Sequence, residues 1–103
     1  MIKWSIHQTN DVVNIDIKGH AGYSKRGQDI VCSAVSTLVY FFINCVKKIE
    51  EDSIKHVKLK DGDVELKLVV VVKIKPLLEV FQHSLRDIES QYPSCLKELN
   101  QDD

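Results

Sequence analysis

Residues 19–36 read GHAGYSKRGQDIVCSAVS, and this stretch joins a strand pattern to a helix pattern. The strand pattern ends just before it, and a long apolar helix pattern begins inside it. Glycine is favoured where the backbone must bend or pass close to a ligand, and three of the four glycines of the chain lie here: Gly19, Gly22 and Gly27. The sequence therefore predicts a functional loop between a strand and a helix, supported by the rest of a small chain.

The residues before this loop predict an antiparallel hairpin. Apolar and polar side chains alternate along residues 2–8 and again along residues 13–18, which is the period of a half-buried strand. Between the two runs, Thr9, Asn10 and Asp11 are residue types that favour turns. The loop is therefore expected to follow directly from the second strand of a hairpin.

The residues after the loop predict a helix from Asp29 to Ile49. Asp is a favoured N-cap because its carboxylate accepts hydrogen bonds from the free N–H groups of the first turn. Apolar residues then recur every three or four positions, at Val31, Val35, Leu38, Phe42, Val46 and Ile49. The opposite side is apolar as well, at Val39, Phe41, Ile43 and Cys45. A helix that is apolar all round must be covered on more than one side, so we expect a homodimer that covers the second side.

The second half of the chain predicts another hairpin and another helix. Residues 54–60 form a short strand, the Asp61-Gly62 pair is typical of a tight turn, and the alternation over residues 64–74 predicts a long strand. Pro76 fits the first turn of a helix that ends near residue 92. We expect the polar tail to residue 103 to be frayed.

This order of elements, β-β-α-β-β-α, predicts a single domain over residues 1–103. Two hairpins and two helices favour an α+β fold, a two-layer sandwich in which the helices cover an antiparallel sheet made from the two hairpins. No internal repeat, linker or low-complexity segment divides the chain.

The composition excludes several classes of protein. The net charge of −1 gives no basic footprint for nucleic acid, and the apolar run over residues 69–72 is far too short to span a membrane. The three cysteines lack CxxC spacing, which argues against a zinc ribbon. An odd number of cysteines without a signal peptide favours the reducing cytoplasm. We therefore expect a cytoplasmic protein that contacts neither nucleic acid nor membrane directly and needs no cofactor.

Cys32 and His20 are candidates for a nucleophile and a general base. If Asp29 is the N-cap, Cys32 is the third residue of the helix, where unsatisfied N–H groups and the helix dipole favour a thiolate. The same N–H groups could stabilise an oxyanion on an attacked carbonyl. His20 follows the end of a strand, so a rigid element can hold its imidazole near the thiol. Cysteine plus histidine is sufficient for acyl transfer, in which the imidazole removes the thiol proton and later protonates the leaving amine.

Other interpretations of these residues stay open from the sequence. Cys32 can be a small core residue, as we expect for Cys45. Asp29 can be only a helix cap, or it can contact His20 or substrate. Ser36 lies one turn beyond Cys32 on the same helix face, so its hydroxyl can bond near the sulfur or back to the helix. A metal site formed by these side chains is disfavoured, because structural zinc usually takes four N or S ligands.

The run GHAGYSKRGQDIVCSAVS resembles the signature of the ribosomal-processing cysteine protease family Prp, the YsxB-like proteins. That signature is roughly G-H-A, a variable loop and then G-x-D-I-V-C-A/S-A-x-S, and the likeness in length and element order covers about the whole chain. The resemblance implies that His20 and Cys32 form a catalytic dyad. It also associates three further residues with the same site: Gly19, Asp29 and Ser36.

The resemblance implies a function as well. Members of this family are homodimers that remove a short N-terminal extension from a large-subunit ribosomal protein, at an apolar motif that contains aromatic residues. We therefore expect a cysteine endopeptidase whose partner is such a ribosomal-protein precursor. Two alternatives stay open: a non-catalytic module that binds ribosomal protein or RNA, and a thiol-transfer protein, which would need a resolving cysteine.

The loop from Gly19 to Gln28 is expected to be a mobile gate. Its glycines allow φ to change freely, and Tyr23 is its one residue with a large apolar body. A loop with few contacts has little to offset its ordering entropy, so we expect substrate to order it and to bring His20 toward Cys32. The alternative is a rigid loop whose glycines only serve turns. Two glycines are predicted to support the substrate-binding site: Gly22 and Gly27.

Overall fold

A computed structural model describes residues 1–99 of the protein. Over these residues the chain forms five strands and two α-helices: β1 (Ile2–Thr9), β2 (Val12–Lys18), α1 (Ile30–Glu50), β3 (Ile54–Lys60), β4 (Asp63–Val69), α2 (Lys75–Gln91) and β5 (Leu96–Glu98). A short 3-10 turn, Glu51–Ser53, connects α1 to β3. The predicted α+β fold is confirmed, as are both hairpins and both helices.

The strands form one sheet in the order β3-β4-β2-β1-β5. The two predicted hairpins meet where β2 pairs antiparallel with β4, and Ile15 lies opposite Leu66 in that pair. On the other side, β5 runs parallel to β1, with Leu96 opposite Ile2. The sheet is therefore mixed rather than purely antiparallel, and β2, which leads into the loop, is its central strand.

The frayed tail is a wrong prediction for residues 96–98. Leu96 and Cys95 are buried, and the Leu99 N–H donates to the Trp4 carbonyl at 2.7 Å. The Glu89 carboxylate of α2 holds this end in place, because it accepts both the Trp4 indole N–H and the Glu98 N–H. A strand of three residues is too short to show an alternating pattern, so it could not be found from sequence. The rest of the predicted tail, residues 100–103, lies outside the described residues.

The fourth strand is shorter than predicted, since it ends at Val69 rather than at residue 74. Its partner β2 begins at Val12, which lies opposite Val69, so no strand is left to pair with the residues beyond. Those residues turn instead, and the Ile74 N–H donates to the Val71 carbonyl at 2.9 Å. Ile74 is fully buried at the start of α2. Its apolar side chain therefore belongs to the core beneath the helix, although the alternating pattern assigns it to the strand.

One hydrophobic core lies between the sheet and the helices. The apolar faces of β1, β2 and β4 contribute side chains such as Trp4, Ile15 and Leu66, while the other face of these strands carries polar residues. In α2 the buried residues are Leu78, Phe81 and Leu85. In α1 they are Val31, Val35, Val39, Phe42, Ile43 and Val46. The helices therefore form the second layer of a two-layer sandwich.

Helix α1 is apolar on more sides than the core requires. With the turn that follows it (Ile30–Ser53), it is long and apolar enough by composition to cross a membrane, but its buried side chains belong to the core of this domain. Val39 and Ile43 are among those buried residues, so the prediction that they lack cover within the chain is wrong. Phe41 is 65% exposed and Tyr40 54% exposed. The bare apolar surface of α1 therefore includes these two aromatic residues near the middle of the helix.

Candidate active site

The structure places Cys32 at the start of α1 and His20 just beyond the end of β2. Asp29 is the N-cap of α1, so Cys32 is the third helical residue, as predicted. Its Sγ is half-buried and accepts a hydrogen bond from the Ala21 backbone N–H at 3.3 Å. The His20 side chain is 40% exposed. An N–H aimed at the sulfur stabilises negative charge on it, which suits a nucleophile better than a buried core thiol.

Two neighbouring cavities are lined by both Cys32 and His20. The larger, about 240 Å³, lies under the loop, and the predicted site residues on its wall are His20, Gly22, Gly27, Asp29 and Cys32. The smaller, about 50 Å³, lies toward the sheet, and its predicted site residues are Gly19, His20, Cys32 and Ser36. Every residue that the sequence assigned to the site therefore lines at least one of the two cavities.

Asp29 has two structural roles. One carboxylate oxygen caps α1 by accepting from the N–H groups of Val31 and Cys32, at 2.9 and 3.0 Å. The other accepts from the N–H groups of Tyr23 and Ser24, at 2.8 and 3.1 Å, and so holds the loop. These contacts show that Asp29 is more than a cap and that its oxygens are directed at the backbone rather than at His20.

The environment of Asp29 explains its charge state. Burial of the carboxyl disfavours the anion and by itself raises the pKa, but the four backbone N–H groups favour the anion, and the net pKa of Asp29 lies below its ordinary value. The same contacts correct a further expectation. The N–H groups of Val31 and Cys32 donate to Asp29, so they are not free to stabilise an oxyanion. The Ala21 N–H, in contrast, donates to the sulfur itself.

Asp61 and Gly62, in the turn between β3 and β4, are parts of the site that sequence reasoning missed. The Asp61 Oδ1 lies 3.8 Å from the His20 Nδ1. Gly62 packs so closely on the imidazole that an added Cβ would lie 2.7 Å from the His20 Nε2. The Asp-Gly pair predicted only a tight turn. Its place beside His20 depends on the pairing of β2 with β4, which no local pattern reveals.

Comparison with known proteins identifies the family. The family model described as the cysteine protease Prp matches residues 1–97. The chain belongs to the Prp family. The predicted family resemblance is therefore confirmed. A curated relative, the ribosomal processing cysteine protease Prp of Bacillus subtilis (strain 168), is 33% identical over 48 residues, which are 45% of this chain and 43% of that protein. The aligned part thus spans less than half the length of that relative.

The fold is similar to solved structures of a Prp protein. Crystal structures of an essential ribosomal processing protease Prp from S. aureus match it with a covalently linked product peptide (TM-score 0.86) and with a substrate peptide (TM-score 0.75). Each match has 20% sequence identity and covers 98% of this chain and 100% of the other. At this identity the match shows that the chain has the Prp fold.

The loop of this Prp-family chain makes more contacts than the sequence led us to expect. The Tyr23 ring packs edge-on against Tyr92, with centroids 5.5 Å apart, and Arg26 forms an ion pair with Asp61. Gly22 and Gly27 both have positive φ, so the resting shape of the loop requires glycine there whether or not the loop moves. The expectation of few contacts is wrong, because the partners lie far away in sequence. Movement of the loop stays a prediction.

The two roles of Asp29 can be separated by substitution. Asp29→Ala removes the acceptors for all four N–H groups, and we expect the melting temperature to fall by roughly 4–8 °C or more, the effect of one lost cap in a domain of this length. Asp29→Asn is the matched control. It can still cap α1, but its amide NH₂ cannot accept from Tyr23 and Ser24. Asn should therefore retain most of the stability and lose loop order, measured by amide hydrogen exchange.

The lowered pKa of Asp29 determines how the stability of the fold changes with pH. The unfolded chain binds the proton first as the pH falls, because its carboxyl has the ordinary, higher pKa. The stabilisation is therefore complete above the ordinary aspartate value and is lost as the pH falls through the lowered value of the folded protein. Thermal unfolding between pH 2 and 7 should show a steeper acid loss for the unmodified protein than for Asp29→Ala. Parallel curves, or equal melting temperatures at pH 7, would contradict both roles.

Proposed function

We propose that the protein is a cysteine endopeptidase in which Cys32 and His20 form the catalytic dyad. The observation that supports this most directly is geometric: both side chains line the same two cavities, and the Ala21 N–H points at the sulfur. The family to which the chain belongs is one of cysteine proteases.

The proposed reaction is acyl transfer in two halves. His20 takes the thiol proton, Sγ attacks the scissile carbonyl, and the resulting oxyanion accepts a hydrogen bond from the Ala21 N–H. His20 then gives its proton to the leaving amine as the C–N bond breaks, which leaves a thioester on Cys32. Water attacks the thioester with His20 as base, and the acid product departs with the thiol restored.

We propose an N-terminal extension of a large-subunit ribosomal protein as the substrate and the cytoplasm as the location. The support comes from relatives: the Bacillus subtilis protein is named a ribosomal processing protease, and the S. aureus protein was solved with substrate and product peptides. The test is incubation with peptides that span the N-termini of candidate ribosomal-protein precursors, read by mass spectrometry. A single cut within an apolar, aromatic motif is expected.

A non-catalytic module that binds ribosomal protein or RNA would give a different result. It would leave every peptide intact, and an electrophile would not prefer Cys32 over the half-buried Cys45 and the buried Cys95. Intact peptides together with unselective labelling would therefore reject the protease proposal.

We also propose that the protein is a homodimer. The exposed apolar surface on the helices supports this: Phe41 and Tyr40 on α1 and Val80 on α2 are each more than half exposed. An open, mainly apolar groove of about 580 Å³ lies between α1 and α2, and its wall on α1 extends from Ile30 to Phe41. Apolar surface of this kind is stabilised by about 25 cal/mol for each Å² that a partner covers. A second copy that carries the same groove can provide that cover.

The dimer proposal predicts that Phe41→Glu gives a monomer. The substitution places a charge where the partner would bury an aromatic ring, so the dimer dissociation constant should rise by at least about a hundredfold. Stability of the monomer should change little, because Phe41 is exposed within the chain. Val72→Glu is the matched control, since Val72 is 88% exposed but lies in the turn before α2. Sedimentation of the unmodified protein as a monomer at micromolar concentration would rule the dimer out.

A further inference from the structure

The turn between β3 and β4 is fixed beside His20 by the backbone. The Gly19 N–H donates to the Gly62 carbonyl at 2.9 Å, which ties the residue before His20 to the turn. Gly62 has φ of +72°, and an added Cβ would lie 2.7 Å from one ring nitrogen of His20. The imidazole therefore lies against the backbone of Gly62, which has no side chain. Asp61, the residue before Gly62, places its side chain at the edge of the ring.

The two carboxylate oxygens of Asp61 face different partners. Oδ1 lies 3.8 Å from the His20 Nδ1, and Oδ2 pairs with the Arg26 guanidinium of the loop. The loop, the turn and His20 therefore meet at one carboxylate. All three side chains are partly exposed, so an ion pair here adds little to stability.

We propose that Asp61, held by Arg26, is a positioning residue that orients the His20 imidazole toward Cys32. The inference rests on the proposed Cys32–His20 dyad. A neutral imidazole carries its proton on one nitrogen and accepts on the other. A carboxylate beside Nδ1 stabilises the tautomer that carries its hydrogen on Nδ1. Nε2 is then unprotonated and can accept the thiol proton.

The distance of 3.8 Å is longer than a hydrogen bond, and catalytic hydrogen bonds are often long before substrate binds. Movement of the loop over a substrate would carry Arg26 and reorient the Asp61 carboxylate relative to His20, while the backbone of the turn stays in place. The other charged or titratable groups that line the two cavities with His20 are Cys32, Arg26, Asp29 and Asp63. Of these carboxylates, Asp29 bonds the backbone and Asp63 pairs with Lys18 and Lys58. Asp61 is therefore the carboxylate left to act on the imidazole.

The test uses the intact protein and iodoacetamide, a small neutral electrophile that needs no substrate site. The rate of Cys32 alkylation is measured against pH, and the part of the profile that disappears in His20→Ala reports the imidazole. In Asp61→Asn we expect the His20-dependent part of the alkylation rate to fall about five- to tenfold, because the imidazole is no longer held in the tautomer that takes the thiol proton. The ¹⁵N shifts of the ring should show less Nδ1–H tautomer, and the melting temperature should stay within about 2 °C.

Two further variants identify the contacts responsible. Asp61→Glu keeps the charge and should restore most of the tautomer population. Arg26→Gln should lower that population, and it should have no additional effect when combined with Asp61→Asn, since the two residues act as one unit. Lys25→Gln removes the neighbouring positive charge of the loop and should change nothing. An unchanged His20-dependent alkylation rate and ring spectrum in Asp61→Asn, or a fall in melting temperature alone, would overturn the proposal.

Peptide cleavage separates this inference from the proposed function. If the protein cleaves a precursor peptide, Asp61→Asn should lower kcat about five- to tenfold with KM little changed. If the unmodified protein cleaves no peptide and an electrophile labels its cysteines unselectively, the protease proposal fails, but the alkylation profile and the ring spectrum still decide whether Asp61 positions His20.

Discussion

Cys32→Ala should abolish peptide cleavage while the protein keeps its fold. In the proposed reaction the sulfur forms the bond to the scissile carbonyl, so its removal leaves no covalent route, and we expect kcat/KM to fall by at least about a thousandfold. The side chain is small and half-buried, and its polar contact is the one with the Ala21 N–H. Circular dichroism and thermal unfolding should therefore be close to those of the unmodified protein.

Two further variants test whether the sulfur of Cys32 itself is required. Cys32→Ser restores an oxygen in place of the sulfur, but a hydroxyl is a far weaker acid than a thiol, so this variant should also be nearly inactive. Cys45→Ala is the matched control, because Cys45 lies on the same helix and is also half-buried, but it does not line either cavity of the site. It should keep full activity. Turnover that persists in purified Cys32→Ala would show that Cys32 is not the nucleophile.

The relation of sequence to structure is clearest around the loop. Periodicity predicted β1, β2 and α1 because each buries one face against the same core, and the N-cap at Asp29 then fixed where Cys32 lies in the helix. His20 and Cys32 come together because one strand, one short loop and one helix connect them. These are local relations, and a single sequence contains them.

The parts that could not be predicted depend on contacts between distant segments. Asp61 reaches His20 only because β2 and β4 pair in the register that places Lys18 opposite Asp63. The loop is held by Tyr92 and Asp61, which lie far along the chain. Strand β5 exists because Leu96 fills the edge of the core beside Ile2, and three residues carry no period. In each case the local pattern was compatible with more than one structure, and tertiary packing selected the one observed.

The two carboxylates near the site, Asp29 and Asp61, contact different groups from those that their positions in the sequence suggest. The Asp29 carboxylate lies beside Cys32, where a negative charge opposes a thiolate. In the structure four backbone N–H groups are bonded to that carboxylate, and hydrogen bonds of this kind compensate much of its charge. The carboxylate of Asp61, which the sequence did not assign to the site, faces the imidazole instead. Tertiary packing, rather than closeness in sequence, therefore decides which carboxylate lies beside His20.

His20→Ala should lower kcat/KM by about a hundred- to ten-thousandfold, the usual contribution of a general acid–base group. The residual activity should come from attack by Cys32 without the help of a base. The pH profile of cleavage should therefore lose the rising limb that reports the imidazole and follow the thiol alone. Alkylation of Cys32 by iodoacetamide should persist in this variant, which distinguishes it from Cys32→Ala.

His7→Ala is the matched control for this prediction. His7 lies on the same sheet in β1, and its side chain is exposed and outside both cavities, so its removal should leave the rate and the pH profile unchanged. His20 is itself partly exposed and lies against Gly62, which has no side chain, so the melting temperature of His20→Ala should change little. A large loss of activity with a preserved fold would then assign the effect to proton transfer. Near-normal cleavage by His20→Ala, with its rising limb intact, would show that another group removes the thiol proton.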